Sequence, residues 1–422
     1  MAKKYRNVRI GVFGMVRGVG FVKHLKKIKG VKIVSICERN DETIEKAKQH
    51  LPEDTKIFKD FDEFIDSGLD AVILANNFHE HAKYAIKALE KKIHVLSETT
   101  AAPTLGDCVK LCRAVEKSKC KYMLAANVTW TPAIVEMKKL YKEGKIGNAI
   151  YGEAEYLHPF EEEPTGFNTR DKNAYTHWRK HLPRTYYNMH TLGVLMEVTE
   201  SLPVKVSGKA CFNPKFSEKM GNAYTGDVSA FAITEMDNGA VFTTTGASSL
   251  GPISKWFRLA GDRGNVETLR FDSDGIRVDY MKWAKPEDFE EGKNIYYPED
   301  ASNCGIFTEK EVKYADLENT PKSAHTGFCD FFLTLYFIKY LRGEVEPFYN
   351  VYRATALSAA AILSWRSILN NGKEYIIPDF SDKRKRRKYE NDFSSPFPDE
   401  NGNYSLPSSS KDYNLFKKYN ID

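Results

Sequence analysis

The sequence predicts an α/β chain: an N-terminal doubly wound parallel sheet, followed by an α+β domain on a large, mostly antiparallel open sheet. Three observations carry this. Over residues 1–126 short apolar runs alternate with amphipathic ones, over 127–380 strand-like runs follow one another with few helices, and 422 residues are too many for one ordinary core. Residues 381–422 are expected to form a basic and polar tail outside both domains.

In order, VRIGVFG (8–14) is a near-continuous apolar run, followed by helix-like GFVKHLKKIKG, strand-like VKIVSICE (31–38) and helix-like DETIEKAKQHL. The alternation continues through DAVILAN (70–76), HAKYAIKALEKK (81–92), IHVLSE (93–98), LGDCVKLCRAVEKSK (105–119) and KYMLAAN (121–127). Short apolar strands separated by amphipathic helices imply parallel pairing, because parallel strands need crossovers and are buried on both faces. Ligands of such sheets bind beyond the carboxyl ends of the strands. Gly14, Glu38, Asn76, Glu98 and Asn127 stand at those ends.

Beyond residue 127 the pattern changes. NVTWTPAIVEMKKLYKEGKIG reads as a helix with Thr131 as N-cap, Pro132 at the first helical position and an end near Gly144. NAIYGEAEYLHPF, PVKVSGKACF, DVSAFAITEM, AVFTTTGASS and WFRLAGDRG then read as strands, with Asp237-Asn238-Gly239 as a hairpin signal between two of them. Two late helices, GFCDFFLTLYFIKYLRG and YRATALSAAAILSWRSILNNG, precede a closing strand EYIIPDF. One face of the sheet is covered by helices and the other is free for a ligand or a partner.

Composition excludes several function classes. With 42% hydrophobic and 28% charged residues the chain is of ordinary globular type. Its seven cysteines are scattered without a C-x-x-C pair, so neither a disulfide framework nor a metal site is indicated, and a reducing cytoplasm fits. The first strand begins within ten residues of Met1 and no apolar run approaches the roughly 18–20 residues of a membrane span, so neither export nor anchoring is expected. The net charge of +5 is smaller than the six cations of KRKRRK (383–388) alone, so the basic excess is local and a nucleic-acid partner is not expected. The tail around that run is expected to wrap the surface or a neighbouring subunit.

The first strand end carries the most chemistry. Glycines 11, 14, 18 and 20 in GVFGMVRGVGF permit a tight turn and close backbone approach. The helix after that turn offers free N–H groups and its positive end to a pyrophosphate, which makes Gly14, Met15, Val16, Arg17 and Gly18 candidate cofactor contacts. Glu38 closes the second strand and can accept hydrogen bonds from a ribose diol, which favours NAD over NADP, although the neighbouring Arg39 leaves NADP open. The fingerprint departs from G-x-G-x-x-G, since Val16 and Val19 stand where its second and third glycines belong. A glycine-rich turn in a cofactor-free domain is the alternative.

The N-terminal domain, NNFHEHAKYAIKALEKKIHVLSETTAAPTL, KIGNAIYGEAEYLHP, THWRKHLPRTYYNMHTLGVL and NVYRATALSAAAILSWRSI together resemble the glucose-fructose oxidoreductase / inositol dehydrogenase / rhizopine-catabolism (Gfo/Idh/MocA) family over roughly residues 5–380. The resemblance implies NAD(P) in a Rossmann first domain and a sugar, cyclitol or related polyol substrate between the domains, over the second-domain sheet. It implies cofactor contacts for Asn76, His79, His81, Glu98, Thr99 and Asn127. Glu98, Trp178, Arg179, His158 and His325 are the candidate substrate contacts, with a structural role as the alternative for His158 and His325, and a homo-oligomer through the second-domain sheet is expected.

In many such proteins the strand end matching Glu98-Thr99-Thr100 reads Glu-Lys-Pro, and its lysine helps to activate the carbinol. Threonine has no usable pKa and can only hydrogen-bond, so Thr99 is not the base. TYYNMHTLG offers Tyr187 and His190 instead, three residues apart, as the catalytic acid/base pair. A glycoside-cleaving branch of the family is similar here, with Tyr-x-x-His-x-Leu-Gly and no lysine after the glutamate. In that branch bound NAD oxidises the sugar at C3, which acidifies the C2 proton and allows elimination, water addition and re-reduction.

Three readings stand, in this order. The first is an NAD(P)-dependent oxidoreductase acting on a ring hydroxyl of a sugar, glycoside or cyclitol. The second is a redox-neutral NAD-dependent glycoside hydrolase or lyase. The third is a non-catalytic dinucleotide-binding regulator. His79 and His81 have the spacing of metal ligands, but the resemblance puts them beside the cofactor and no metal is expected.

Overall fold

The computed structural model describes residues 7–159, 178–219, 225–270, 272–287, 289–290, 292–298, 306–308, 311, 327–399 and 401–413. Two compact units form, one from Met1–Ala102, Asp107–Glu136 and Glu299–Thr355, the other from Pro103–Gly106, Met137–Pro298 and Ala356–Asp422. They do not follow linear boundaries at 126 and 380.

In the first unit, β1 (Val8–Phe13), α1 (Met15–Leu25), β2 (Val31–Cys37), α2 (Asp41–Lys48), β3 (Lys56–Phe58), α3 (Phe61–Ile65), β4 (Ala71–Leu74), α4 (His81–Glu90), β5 (His94–Ser97), α5 (Leu105–Ser118) and β6 (Tyr122–Leu124) follow in turn. All pairings are parallel, in the order β3-β2-β1-β4-β5-β6. This is the doubly wound order with its switch point between β1 and β4. β4 and β5 are buried along their whole length, as strands covered on both faces must be. Side-chain capping sets two helix starts: Asn40 accepts from Thr43 N–H, and Asp60 from Asp62 and Glu63 N–H.

The late helix Phe328–Arg342 belongs to this first unit. Sequence order placed it with the second domain, but its Cys329, Phe331, Phe332, Leu335 and Ile338 share one buried cluster with Val8, Ile10, Phe21 and Leu25. An apolar helix packs wherever a sheet and helix still expose apolar surface, whatever its place in the chain.

Among the described residues the second unit is built on nine strands: β7 (Ala149–Leu157), β8 (Pro203–Phe212), β9 (Asp227–Met236), β10 (Val241–Ser248), β11 (Ser254–Gly261), β12 (Gly264–Leu269), β13 (Asp272–Tyr280), β14 (Ile295–Tyr296) and β15 (Tyr375–Ile376). Their order is β14-β13-β12-β11-β7-β10-β9-β8-β15, antiparallel except for the β7–β10 pair. Sequence reading named only WFRLAGDRG beyond β10; the structure adds β12, β13 and β14. The Asp237-Asn238-Gly239 turn joins β9 to β10, with Gly239 at φ +85. Gly152, Ala154 and Tyr156 of β7 point to the helix-covered face, where a Cβ on Gly152 would meet Phe242 and Leu195 at 2.7 and 3.1 Å.

The described residues of the tail lie against this unit, as a segment that wraps the surface does. Lys383–Arg387 forms a short helix capped by Asp382, with Arg386 buried and donating to the Phe380 carbonyl, so one cation of the basic run is structural. Among the described residues no helix is long and apolar enough to cross a membrane.

Candidate active site

The first unit assembles its candidate residues at the β1/β4 switch point. Gly14 ends β1 at φ +88, and a Cβ there would lie 2.6 Å from the Ala75 carbonyl and the Asn76 nitrogen. Only glycine permits this turn. Glu38, at the end of β2, accepts Met15 N–H at 2.8 Å, Arg39 N–H at 2.8 Å and Asn40 N–H at 3.0 Å. Its carboxylate is therefore oriented before any ligand arrives. The Arg39 guanidinium donates to Tyr84 Oη at 2.9 Å.

Gly18 lies inside α1, where a Cβ would be 2.7 Å from Val12, so it serves the close packing of helix on strand. The Met15 side chain is buried, while Val16 is 86% exposed at the helix start. Both Asn76 side-chain polar atoms are buried without a hydrogen-bond partner among the described residues. A buried amide left open beyond a strand end suits a ligand that completes it. With the glycine turn and the fixed acid, these residues fit a bound dinucleotide.

His81 is buried and its Nδ1 lies 3.1 Å from the Thr100 carbonyl. A carbonyl only accepts, so Nδ1 carries the hydrogen; burial pushes this ring down to about 4, and it is neutral at neutral pH. Burial also lowers His79. Thr99 is buried and joined to Thr100 by a cis peptide, and its N–H donates to Glu98 at 3.2 Å.

Arg17 gathers two acids. Its Nε donates to Glu98 at 2.8 Å, and its Nη atoms fork onto Asp330 at 2.6 and 2.8 Å. Asn127 Nδ2 approaches the same Asp330 carboxylate at 3.4 Å. Burial opposes the Arg17 charge, yet Glu98 and Asp330 hold the guanidinium above its ordinary value. Burial likewise raises the Glu98 carboxyl, with Arg17 pulling it back. Asp330 was not among the residues singled out by sequence, although one acid in the apolar run FCDFFLTLYFIKYL is a signal of a buried partner.

In the second unit a cluster of rings forms between the end of β7 and the segments Trp178–His181 and Arg184–His190. Tyr187 and His190 have ring centroids 5.2 Å apart. Tyr156 lies 4.8 Å from His190, 6.0 Å from Tyr187 in a stacked arrangement, and 5.5 Å from His158. The Arg179 guanidinium sits over the rings of Trp178 and Tyr187, at 4.5 and 5.9 Å from their centroids. His190 is buried and Tyr187 is partly exposed at a kink in the segment, φ −88 and ψ 34. Burial raises the Tyr156 phenol, and Tyr187 adds to the shift. Burial, then Arg179, lowers His158.

Four predicted residues of this unit, with Tyr187, thus share one neighbourhood; His325 lies outside the described residues. Tyr156 was missed. Its signal was the alternation along EAEYLH, which sets Tyr156 and His158 on one face of β7.

A cluster of this kind can hold and move a proton. Residues 8–126 match the model of the oxidoreductase family with an NAD-binding Rossmann fold, and residues 133–387 match that of the glycosyl hydrolase 109 C-terminal domain. The chain belongs to the Gfo/Idh/MocA family and carries the glycosyl hydrolase 109 C-terminal domain. It is therefore an enzyme of a family whose chemistry depends on NAD.

This Gfo/Idh/MocA protein is 22% identical to an alpha-N-acetylgalactosaminidase of Shewanella oneidensis over 90% of its own length and 86% of the relative's. A levoglucosan dehydrogenase solved with NADH has the same fold, with a TM-score of 0.70 at 18% identity, covering 88% of this chain and 100% of that one. The myo-inositol 2-dehydrogenase of Lactobacillus plantarum superposes with a TM-score of 0.62 at 17% identity, over 88% and 99%.

Proposed function

We propose that this protein is a redox-neutral, NAD-dependent glycosidase, with an N-acetyl-α-galactosaminide as the first substrate to test. The observation that carries this reading is the Tyr187–His190 pair, 5.2 Å between centroids, within the stretch that matches the glycosyl hydrolase 109 domain. The threonine after Glu98 supports it, because that position offers no ammonium to a simple dehydrogenation.

NAD, when bound, would supply reversible hydride acceptance at a ring carbon of the sugar. Gly14, Met15, Glu38 and Asn76 would hold it. Glu38 favours NAD over NADP, because a 2'-phosphate would set like charge against a carboxylate already fixed by three N–H groups. Tyr187, at the exposed side of the cluster, takes the proton of the substrate hydroxyl or of the neighbouring C–H. The Arg179 guanidinium lies over its ring, 5.9 Å from the centroid. His190 shares that proton from the buried side, and Trp178 and His158 line the sugar's place.

The test is hydrolysis of a nitrophenyl N-acetyl-α-galactosaminide in deuterated water. Release of nitrophenol with deuterium at C2 and no net NADH supports the glycosidase. Steady accumulation of NADH without cleavage supports a plain dehydrogenase, the reading favoured by the names of the structural neighbours.

Two further proposals accompany it. The outer sheet face, where Ile233 is 52% exposed on β9, serves association of subunits. The described cysteines are free thiols, in keeping with a cytoplasmic protein.

A further inference from the structure

The segment that presents Tyr187 and His190 has a second side, and the C-terminal tail lies against it. Tyr186, next to Tyr187, is 1% exposed and meets Phe397 edge-on at 5.7 Å. His181 meets Tyr404 at 6.2 Å. Arg184, the first residue of the segment, is buried and donates through Nε to the Asp227 carbonyl at 2.9 Å. The Asp227 carboxylate in turn accepts Ser410 N–H at 2.7 Å and the Ser410 hydroxyl, while Ser409 Oγ accepts Gly226 N–H at 3.1 Å.

Both ends of this strap are pinned. Arg366 forks onto Asp392 at 2.6 Å through each Nη, and Trp365, fully buried, donates to the Pro407 carbonyl at 3.0 Å. Phe393 lies so close to Gly106 that a Cβ there would be 2.5 Å from its ring. On the opposite side the segment is held to the helix Val351–Leu369, where Thr185 and Asn188 donate to the Ala361 and Leu357 carbonyls at 3.1 and 2.9 Å. The segment's backbone is non-helical at Tyr187, so the groups that pack on it and bond to it contribute to its orientation.

We propose that the tail, residues 389–399 and 401–413, is a positioning element of the active site: through Phe397 and Ser410 it fixes the segment that presents Tyr187 and His190, and through Tyr404 the neighbouring segment that ends at His181. The inference rests on the catalytic role assigned to that pair. Phe397, Tyr404 and Ser410 act through these segments and are not themselves catalytic residues. Misplacement of reacting groups by about 1 Å costs on the order of 10²-fold in rate.

The test uses the full-length protein, with Phe397→Ala and Ser410→Ala made singly and together. Nitrophenyl N-acetyl-α-galactosaminide turnover is measured alongside NAD affinity and the His190 ring signals in histidine-labelled protein. The double variant is expected to lose roughly 10- to 100-fold in kcat, to shift or broaden the His190 signals and to keep its NAD affinity. Ser410→Thr, which retains the hydroxyl, is expected to restore kcat relative to Ser410→Ala. A folded double variant with wild-type kcat and unmoved His190 signals overturns the proposal. If Tyr187→Phe and His190→Ala keep full turnover, the catalytic assignment fails instead, and the His190 signals still decide whether the tail positions the segment.

Discussion

Arg17 and Asp330, 313 positions apart in the chain, meet as a fork of two hydrogen bonds, 2.6 and 2.8 Å long, with the Asp330 side chain fully buried. The same guanidinium holds Glu98 at the end of β5. The start of α1, a strand end and a helix from late in the chain are thereby tied at one point. Removing one member of a buried ion pair strands the other in a medium that solvates it poorly.

Asp330→Ala is accordingly expected to cost about 3–5 kcal/mol of stability, read from denaturant titration. Asp330→Asn, which keeps a hydrogen-bond acceptor, is expected to cost less. Equal stability of Asp330→Ala and wild type would show that the fork contributes nothing net.

Gly14→Ala is expected to abolish NAD binding, since φ +88 and a Cβ 2.6 Å from the Ala75 carbonyl leave no room for the turn. Glu38→Ala is expected to weaken NAD more than NADP, so that the ratio of their dissociation constants falls. Calorimetric titration of both cofactors checks this, and an unchanged ratio would remove Glu38 as the selecting group.

Thr99→Ala is expected to reduce kcat less than loss of a general base, which typically removes 10²–10⁴-fold. His190→Ala and Tyr187→Phe are expected to fall in that range with NAD affinity unchanged, because both belong to the second unit. Steady-state kinetics on the three variants compares them directly. A Thr99→Ala loss as large as theirs, with binding intact, would reassign the base.

His81 sets a pH dependence. Its pKa is pushed from an ordinary 6.5 down to about 4 in the folded protein by burial, so the unfolded chain binds the extra proton first as pH falls. Stability from this group is full above about pH 6.5, declines as pH falls and is spent near pH 4, a difference on the order of 3 kcal/mol. Burial of His79 and His158 acts in the same direction. Denaturant titrations across this window should show a shallower decline for His81→Gln than for wild type; parallel curves would mean that His81 is not held neutral.

How much was legible follows from how local each signal is. The strand ends Gly14, Glu38, Asn76, Glu98 and Asn127 could be read from sequence because each lies where an apolar run stops, and parallel order brings all such ends to one edge. Thr99 could be read as a departure because a single position changes from ammonium to hydroxyl. Tyr156 required knowing that β7 pairs in parallel with β10, the strand that packs against the segment Arg184–His190.

The sequence by itself determined the alternation that builds the parallel sheet, the glycine turn with its acid 24 residues on, and the Tyr187-x-x-His190 spacing. These depend on backbone geometry and on neighbours a few residues away. Only the tertiary structure decided that Asp330 would neutralise Arg17, that Tyr156 would join the ring cluster, and that Phe397 and Ser410 would back the segment carrying it. Those choices belong to burial: a charge or ring removed from water must find a partner among whatever the fold brings near, and sequence distance plays no part in that selection.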